Sequence, residues 1–144
     1  MAGSNDPHDL QRFVDAQDSV IDQVKTELRS GRKRSHWMWF VFPQVDGLGS
    51  SQMAQRYAIS SRAEAKAYLT HTILGSRLRE CTELVNKING KSAKEIFGSP
   101  DDLKFKSSMT LFDTVASDPA PFGTALKKFY DGDRDAQTVQ FLSG

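Results

Sequence analysis

The sequence predicts an all-α fold: a single compact domain of about seven or eight short helices around a buried tryptophan-rich segment. Apolar residues recur at helical spacing along nearly the whole chain, and five helix starts carry capping residues. Strand signals are unpaired, because the one β-prone stretch has no partner with a matching turn. We expect residues 1–144 to form a single domain with an ordered core at about residues 6–142.

Two helices are predicted before the tryptophan-rich segment. Asp6-Pro7 offers a capping carboxylate followed by proline at the first helical position. The apolar stripe of this helix is Leu10, Phe13 and Val14. The stripe of the next helix, which Gly31 ends, is Val20, Ile21, Val24 and Leu28.

Seven successive apolar residues run from Trp37 to Pro43, a pattern of neither a surface helix nor an alternating strand. An isolated strand could not satisfy its backbone hydrogen bonds. We therefore interpret residues 37–42 as a short buried helix that ends at Pro43. A flexible loop is predicted at residues 47–51.

The remaining helices are predicted after residue 60. Capping boxes occur at residues 61–64 and 92–95, and residues 99–102 and Asp118-Pro119 form two more helix starts. The strongest stripe, which Gly90 ends, is Leu74, Leu78, Cys81, Val85 and Ile88.

Composition restricts the class of protein. The 19 basic and 18 acidic residues give no general affinity for polyanions, so there is no strong case for nucleic acid. The single cysteine, Cys81, excludes an internal disulfide and is interpreted as a buried, inert thiol. The N-terminus lacks the pattern of a secretory signal, and the longest apolar run is too short to span a bilayer. We expect a cytoplasmic monomer without a metal or cofactor.

Three groups of residues are candidates for a site, and each has a structural alternative. The basic turn at Arg29, Arg32, Lys33 and Arg34 either compensates a helix dipole or binds an anion. His36, beside Trp37 and Trp39, is either a core hydrogen-bonding residue or part of a pocket.

The third group lies in a predicted helix, where Lys104 and Ser108 are one turn apart and share a face. The hydroxyl groups of this region either bond to the backbone one turn back or form a polar pocket wall.

Several blocks of this sequence resemble a known family. Residues 35–44 closely resemble the signature of the bacterial domain-of-unknown-function family 1810, and residues 57–59, 64–69, 74–78, 95–98 and 104–112 also look like that family. The resemblance covers about residues 6–129 and implies a compact all-α domain without an assigned activity. Some members carry the label "calpastatin"; calpastatins are disordered inhibitors, whereas this sequence predicts a core.

A remoter similarity is to helical enzymes that cleave the N-glycosidic bond of ADP-ribose or related nucleotides. None of their catalytic residues matches a position of this sequence.

The leading hypothesis is a site for a phosphate-bearing nucleotide or nucleoside. The expected ligand-binding residues are Lys33, Arg34, His36, Trp37, Trp39, Gln44, Lys104 and Ser108. If the chain is an enzyme, hydrolysis at a glycosidic carbon is the expected reaction, and the candidate catalytic residues are His36, Glu64 and Asp102. The alternative is a non-catalytic module that docks a protein partner. A deep cleft that reaches Trp37 or Trp39 would favour an enzyme, and sealed indoles would favour docking.

Overall fold

The computed structural model describes residues 6–143, and this part of the chain contains ten helices. They are α1 (Gln11–Asp18), α2 (Ile21–Arg29), α3 (Met38–Val41), α4 (Gln52–Arg56), α5 (Arg62–Thr70), α6 (Thr72–Asn86), α7 (Ala93–Phe97), α8 (Asp101–Val115), α9 (Phe122–Tyr130) and α10 (Ala136–Ser143). Within this range, the only strand-like pairing is an isolated parallel bridge between Val45 and Ile59. The predicted all-α class is confirmed.

The tryptophan-rich segment is helical as predicted, since α3 occupies Met38–Val41 and ends just before Pro43. The described residues form ten helices, where about seven or eight were predicted. No apolar stripe predicted α4, which buries none of its residues, or α10, which begins after Asp135. The Asp135 carboxylate accepts hydrogen bonds from the backbone and the hydroxyl of Thr138 and so caps α10.

Several predicted helix starts are wrong in detail. The Asp6 carboxylate does accept hydrogen bonds from the Leu10 and Gln11 backbones, but the helix begins at Gln11, so Pro7 is not its first residue. Pro100 and Pro121 precede α8 and α9, and neither helix has a side-chain cap. The caps expected at Ser99 and Asp118 do not form, because the helices begin two or more residues later.

Of the two predicted capping boxes, one forms completely and the other only in part. Ser92 and Glu95 make a complete capping box at α7. Ser61 accepts a hydrogen bond from the Glu64 backbone at the start of α5, but the Glu64 side chain turns to other partners. Gly31 and Gly90 have positive φ after α2 and α6, in agreement with their predicted role as helix terminators.

The long helix α8 lies at the centre of the fold, in contact with α3, α5, α7, α9 and α10. An aromatic cluster joins it to the tryptophan-rich segment. The ring of Phe105 stands edge-on to Phe42 at a centroid distance of 4.9 Å and stacks on Phe97 at 4.7 Å. These contacts bury the underside of the segment against α7 and α8. Among the described residues, no helix is long and apolar enough to cross a membrane.

Helices α5 and α6 approach each other closely at Gly75. A Cβ atom at this position would overlap the backbone carbonyl oxygen of Leu69. Backbone atoms cannot move aside as a flexible side chain would, so the turn between the two helices requires the absence of a side chain at Gly75.

Gly75→Ala therefore tests this packing by the sign of its effect. Helix propensity alone would stabilise the protein by up to about 1 kcal/mol, because alanine favours a helix interior over glycine. We expect instead a loss of about 1–3 kcal/mol in the free energy of unfolding, as overpacking requires. Urea denaturation measures it, with Ser76→Ala, an exposed neighbour on α6, as the control. A more stable Gly75→Ala protein would contradict the model of close approach.

Candidate functional site

The buried carboxylate of Glu27 organises the chain that enters the tryptophan-rich segment. Glu27 is 2% exposed and accepts five hydrogen bonds. The donors are the Arg34 and Ser35 backbones, the Ser35 hydroxyl, the Gln23 amide and the Trp37 indole N–H. The indole donates over 2.9 Å. This carboxylate thus fixes both the turn after α2 and the orientation of Trp37.

These donors keep Glu27 ionised in spite of its burial. Burial alone would raise the pKa of its carboxyl group, but the hydrogen bonds from Ser35, the Arg34 backbone, Gln23 and Trp37 outweigh it and lower the pKa to about 2. A buried ionised group is tolerated when it is fully hydrogen-bonded.

A second polar side chain holds the segment at Phe40, in its middle. Gln17 of α1, 1% exposed, donates its amide to the Phe40 carbonyl over 2.7 Å and to the Tyr68 hydroxyl over 3.0 Å. Arg77 of α6 donates to the Gln17 carbonyl oxygen. Gln17 and Glu27 therefore attach the middle and the beginning of the segment to the first two helices.

Within this fixed segment, Trp39 is the residue that reaches the surface. All other residues from Trp37 to Pro43 are buried, whereas Trp39 is half-buried and packs on the edge of the core. Trp37, by contrast, is 1% exposed and sealed. Only one of the two indoles is therefore open to a ligand.

Each tryptophan has a lysine over its ring, and one aspartate pairs with both lysines. The Lys33 ammonium stands 5.3 Å from the Trp37 ring centre and the Lys104 ammonium 5.4 Å from that of Trp39. Asp101, in the first turn of α8, is within 2.9 Å of Lys33 and 3.5 Å of Lys104. The Lys33 side chain is 8% exposed and that of Lys104 is 25% exposed. Lys33 is thus held in place, and Lys104 is the more accessible cation.

The structure separates the remaining predicted ligand-binding residues. Arg34 and His36 are exposed, and neither side chain makes a hydrogen bond or ion pair within residues 6–143. Gln44 is half-buried; its carbonyl accepts a hydrogen bond from the Ile59 backbone over 2.8 Å. The interpretation of His36 as a core hydrogen-bonding residue is wrong, because its side chain is exposed.

Ser108 differs from the hydroxyl groups around it. Ser107 and Thr110 donate to the backbone carbonyls one turn back, as the structural alternative expected. Ser108 is fully buried, and its hydroxyl has no hydrogen-bond partner among the described residues. It lies one helical turn beyond Lys104 on the same face of α8.

The two carboxylates predicted as catalytic candidates lie in other surroundings. Glu64, 3% exposed, pairs with Arg12 over 2.8 Å and accepts hydrogen bonds from the Ser60 backbone and hydroxyl, so both of its oxygens are occupied. Asp102 has one buried oxygen without a partner in the described part of the chain. It is two residues from Lys104, and residues at this spacing do not share a helix face.

Sequence reasoning missed Glu27, Gln17 and Asp101, although two of them left a signal. Glu27 follows Val24 by three residues, and Gln17 follows Phe13 by four, so each lies on the buried stripe of its helix. A polar residue at an apolar position indicates a buried hydrogen-bonding group. Asp101 looked like a helix-start residue; Lys104 is its neighbour within α8, but Lys33 approaches it only through the tertiary fold.

Four concavities are lined by described residues outside the tryptophan-rich segment. One of about 540 Å³ lies between α6 and the loop before α9, one of about 490 Å³ between α5 and the end of α8, and one of about 380 Å³ beside α9. A fourth of about 300 Å³ lies between the ends of α2 and α6. Residues of the tryptophan-rich segment line none of these four. No group of three potential metal ligands clusters within residues 6–143.

Comparison with known proteins gives a family and a fold. The family model described as "Protein of unknown function (DUF1810)" matches residues 7–142. The crystal structure of the conserved hypothetical protein Rv1873 from Mycobacterium tuberculosis is similar to this chain, with 57% sequence identity and a TM-score of 0.95. The match covers 96% of this chain and 99% of that chain. The comparison with curated proteins gave no match.

Glu27→Gln tests the role of the buried carboxylate. It keeps the side-chain size but removes the charge and places an amide N–H₂ among donors, so we expect a loss of about 3 kcal/mol in unfolding free energy at neutral pH. The folded pKa of Glu27, about 2, lies below its ordinary value of 4.5. Its stabilisation is therefore present above about pH 4.5 and lost as pH falls towards 2.

Chemical denaturation at several pH values measures this effect. The difference between the native protein and Glu27→Gln should shrink over that acid range, whereas the exposed control Glu83→Gln should stay within about 0.5 kcal/mol throughout. A difference that does not depend on pH would show that the charge of Glu27 contributes nothing.

Proposed function

Since this chain belongs to the DUF1810 family of proteins of unknown function, we propose its function from the site itself: it binds a phosphate-bearing nucleotide at the face formed by Trp39 and Lys104. The observation that supports this proposal is the partial exposure of Trp39, in a segment that is otherwise buried and is held by hydrogen bonds at Trp37 and Phe40.

An indole held in this way is suited to stacking against a planar base. Base–aromatic stacking contributes about 1–3 kcal/mol per base and is independent of base identity. Because Glu27 and Gln17 fix the segment through α1 and α2, the indole loses little freedom when a ligand binds.

The cations beside Trp39 are suited to a phosphate. Lys104 is partly exposed and its link to Asp101 is long, at 3.5 Å, so its ammonium group is available to a ligand oxygen. Arg34 and His36 precede Trp39 by five and three residues and are exposed. Lys33 belongs to the support of this face, since its side chain is only 8% exposed and forms a 2.9 Å ion pair with Asp101. We therefore propose Lys104, and not Lys33, as the lysine that contacts the phosphate.

Hydrolysis of an N-glycosidic bond, in ADP-ribose-like compounds, is an extension of this proposal and has less support. Glu64 has no free oxygen and Asp102 projects from a different side of α8 than Lys104. His36 is the one of the three candidate catalytic residues that is exposed beside the segment. The rival function, docking of a protein partner, is favoured by the position of the described concavities away from Trp39.

Tryptophan fluorescence and calorimetry with adenosine, AMP, ADP-ribose and inorganic phosphate test the proposal. We expect AMP and ADP-ribose to quench Trp39, while the sealed Trp37 gives a constant background. Trp39→Leu should abolish the quenching and weaken AMP binding at least about tenfold through the loss of stacking. Lys104→Met should weaken AMP about fivefold and leave adenosine unchanged, because it removes only a charge at the surface.

Lys127→Met, which changes an exposed lysine of α9, is the matched control and should bind like the native protein. Chromatography of the ADP-ribose sample after incubation decides whether the bound compound is cleaved. Flat titrations up to millimolar concentrations with every compound would contradict nucleotide binding and favour the docking function.

A further inference from the structure

The concavity of about 300 Å³ between α2 and α6 combines an apolar floor with a cationic rim. Leu28, Leu84 and Ile88 form the floor; Leu28 is fully buried and the other two are half-buried. Arg29, Lys87 and Lys91 stand around it, and no carboxylate is among its lining residues. It shares no lining residue with the face at Trp39 and Lys104.

The three cations are not engaged by acidic partners. Within residues 6–143, Arg29, Lys87 and Lys91 form no ion pair, whereas Lys25, one turn before Arg29, pairs with Glu80 over 3.0 Å. The Lys91 ammonium donates to the Gly31 carbonyl over 3.1 Å, which holds the rim beside the turn after α2. Glu95, which is exposed, has its pKa lowered chiefly by its own capping box with Ser92 and to a smaller extent by Lys91.

Compensation of helix dipoles explains only part of this arrangement. Cations are favoured at the C-terminal ends of helices, and both α2 and α6 end here. Compensation of the dipoles does not explain why the cations surround a concavity with an apolar floor. A concavity of this size is at the lower limit of small-molecule sites, which are mostly apolar with a few placed polar groups.

We propose that this concavity binds a small organic anion, that is, a phosphate or carboxylate group on a compact apolar body. The apolar body contacts Leu84 and Ile88, and the anionic group meets Arg29 and Lys87 at the rim. This assigns to the basic turn that begins at Arg29 a ligand of its own, separate from the nucleotide of the proposed function.

Nuclear magnetic resonance of the labelled full-length protein locates such binding directly. Phenyl phosphate is the phosphate probe, benzoate the carboxylate probe and inorganic phosphate the control for charge alone. We expect saturable shifts of the Gly31 and Ile88 amide signals with phenyl phosphate or benzoate, and only small, non-saturating shifts with inorganic phosphate. The Trp39 indole N–H signal reports binding at the other face in the same spectra.

Variants divide the two components of the site. Arg29→Gln and Lys87→Gln each should weaken phenyl phosphate by about three- to fivefold, as expected for exposed ion pairs. Ile88→Ala should reduce its affinity towards that of inorganic phosphate, because it removes part of the floor. Lys127→Gln, an exposed lysine at a different concavity, should have no effect. Thermal melting confirms that each variant is folded.

Three results would overturn the proposal. Shifts confined to Trp39 and its neighbours would place the probe at the nucleotide face. Equal binding of inorganic phosphate and phenyl phosphate would reduce the site to surface charge. Unchanged affinity in both Arg29→Gln and Lys87→Gln would show that the cationic rim does not bind the anionic group. Failure here leaves nucleotide binding at Trp39 unaffected, since the two sites have different residues and different signals.

Discussion

The buried carboxylate of Glu27 is the interaction on which the rest of the structure depends. It is the common acceptor for a turn, a hydroxyl and an indole, and these groups would otherwise be unsatisfied donors in an apolar interior. Because the α2 helix carries this acceptor, the chain between α2 and α3 can be irregular and still be well defined. The position of Trp39 follows from it, since the chain leaves Trp37 already oriented.

The division of the two tryptophans gives the candidate site its character. Trp37 has its polar atom satisfied inside the protein and its ring covered by Lys33. Trp39 has one covered face and a partly exposed side. A long apolar run therefore contains both the anchor of the fold, Trp37, and a partly exposed aromatic ring, Trp39. The α3 helix, of four residues, is too short to fix the position of either tryptophan by itself.

Local signals account for most of what could be predicted. Helix caps such as Ser92 and terminators such as Gly31 act within a few residues, and these were confirmed. The starts of α8 and α9 were misplaced, because the expected caps at Ser99 and Asp118 depend on backbone geometry that a pattern does not define. The pair of Asp101 with Lys104 follows from their i,i+3 spacing on α8, but the pair of Asp101 with Lys33 joins residues far apart in sequence, so no spacing rule could reveal it.

The shared carboxylate of Asp101 has a consequence for any molecule that engages Lys104. When a ligand draws an ammonium group away from its carboxylate, the carboxylate is usually left with uncompensated charge, and that loss offsets much of the new interaction. Here Lys33 stays in contact with Asp101 at 2.9 Å. The Lys104 ammonium can therefore exchange one oxygen partner for another while Asp101 remains neutralised, and the face can be occupied and vacated without rearranging the helix that carries it.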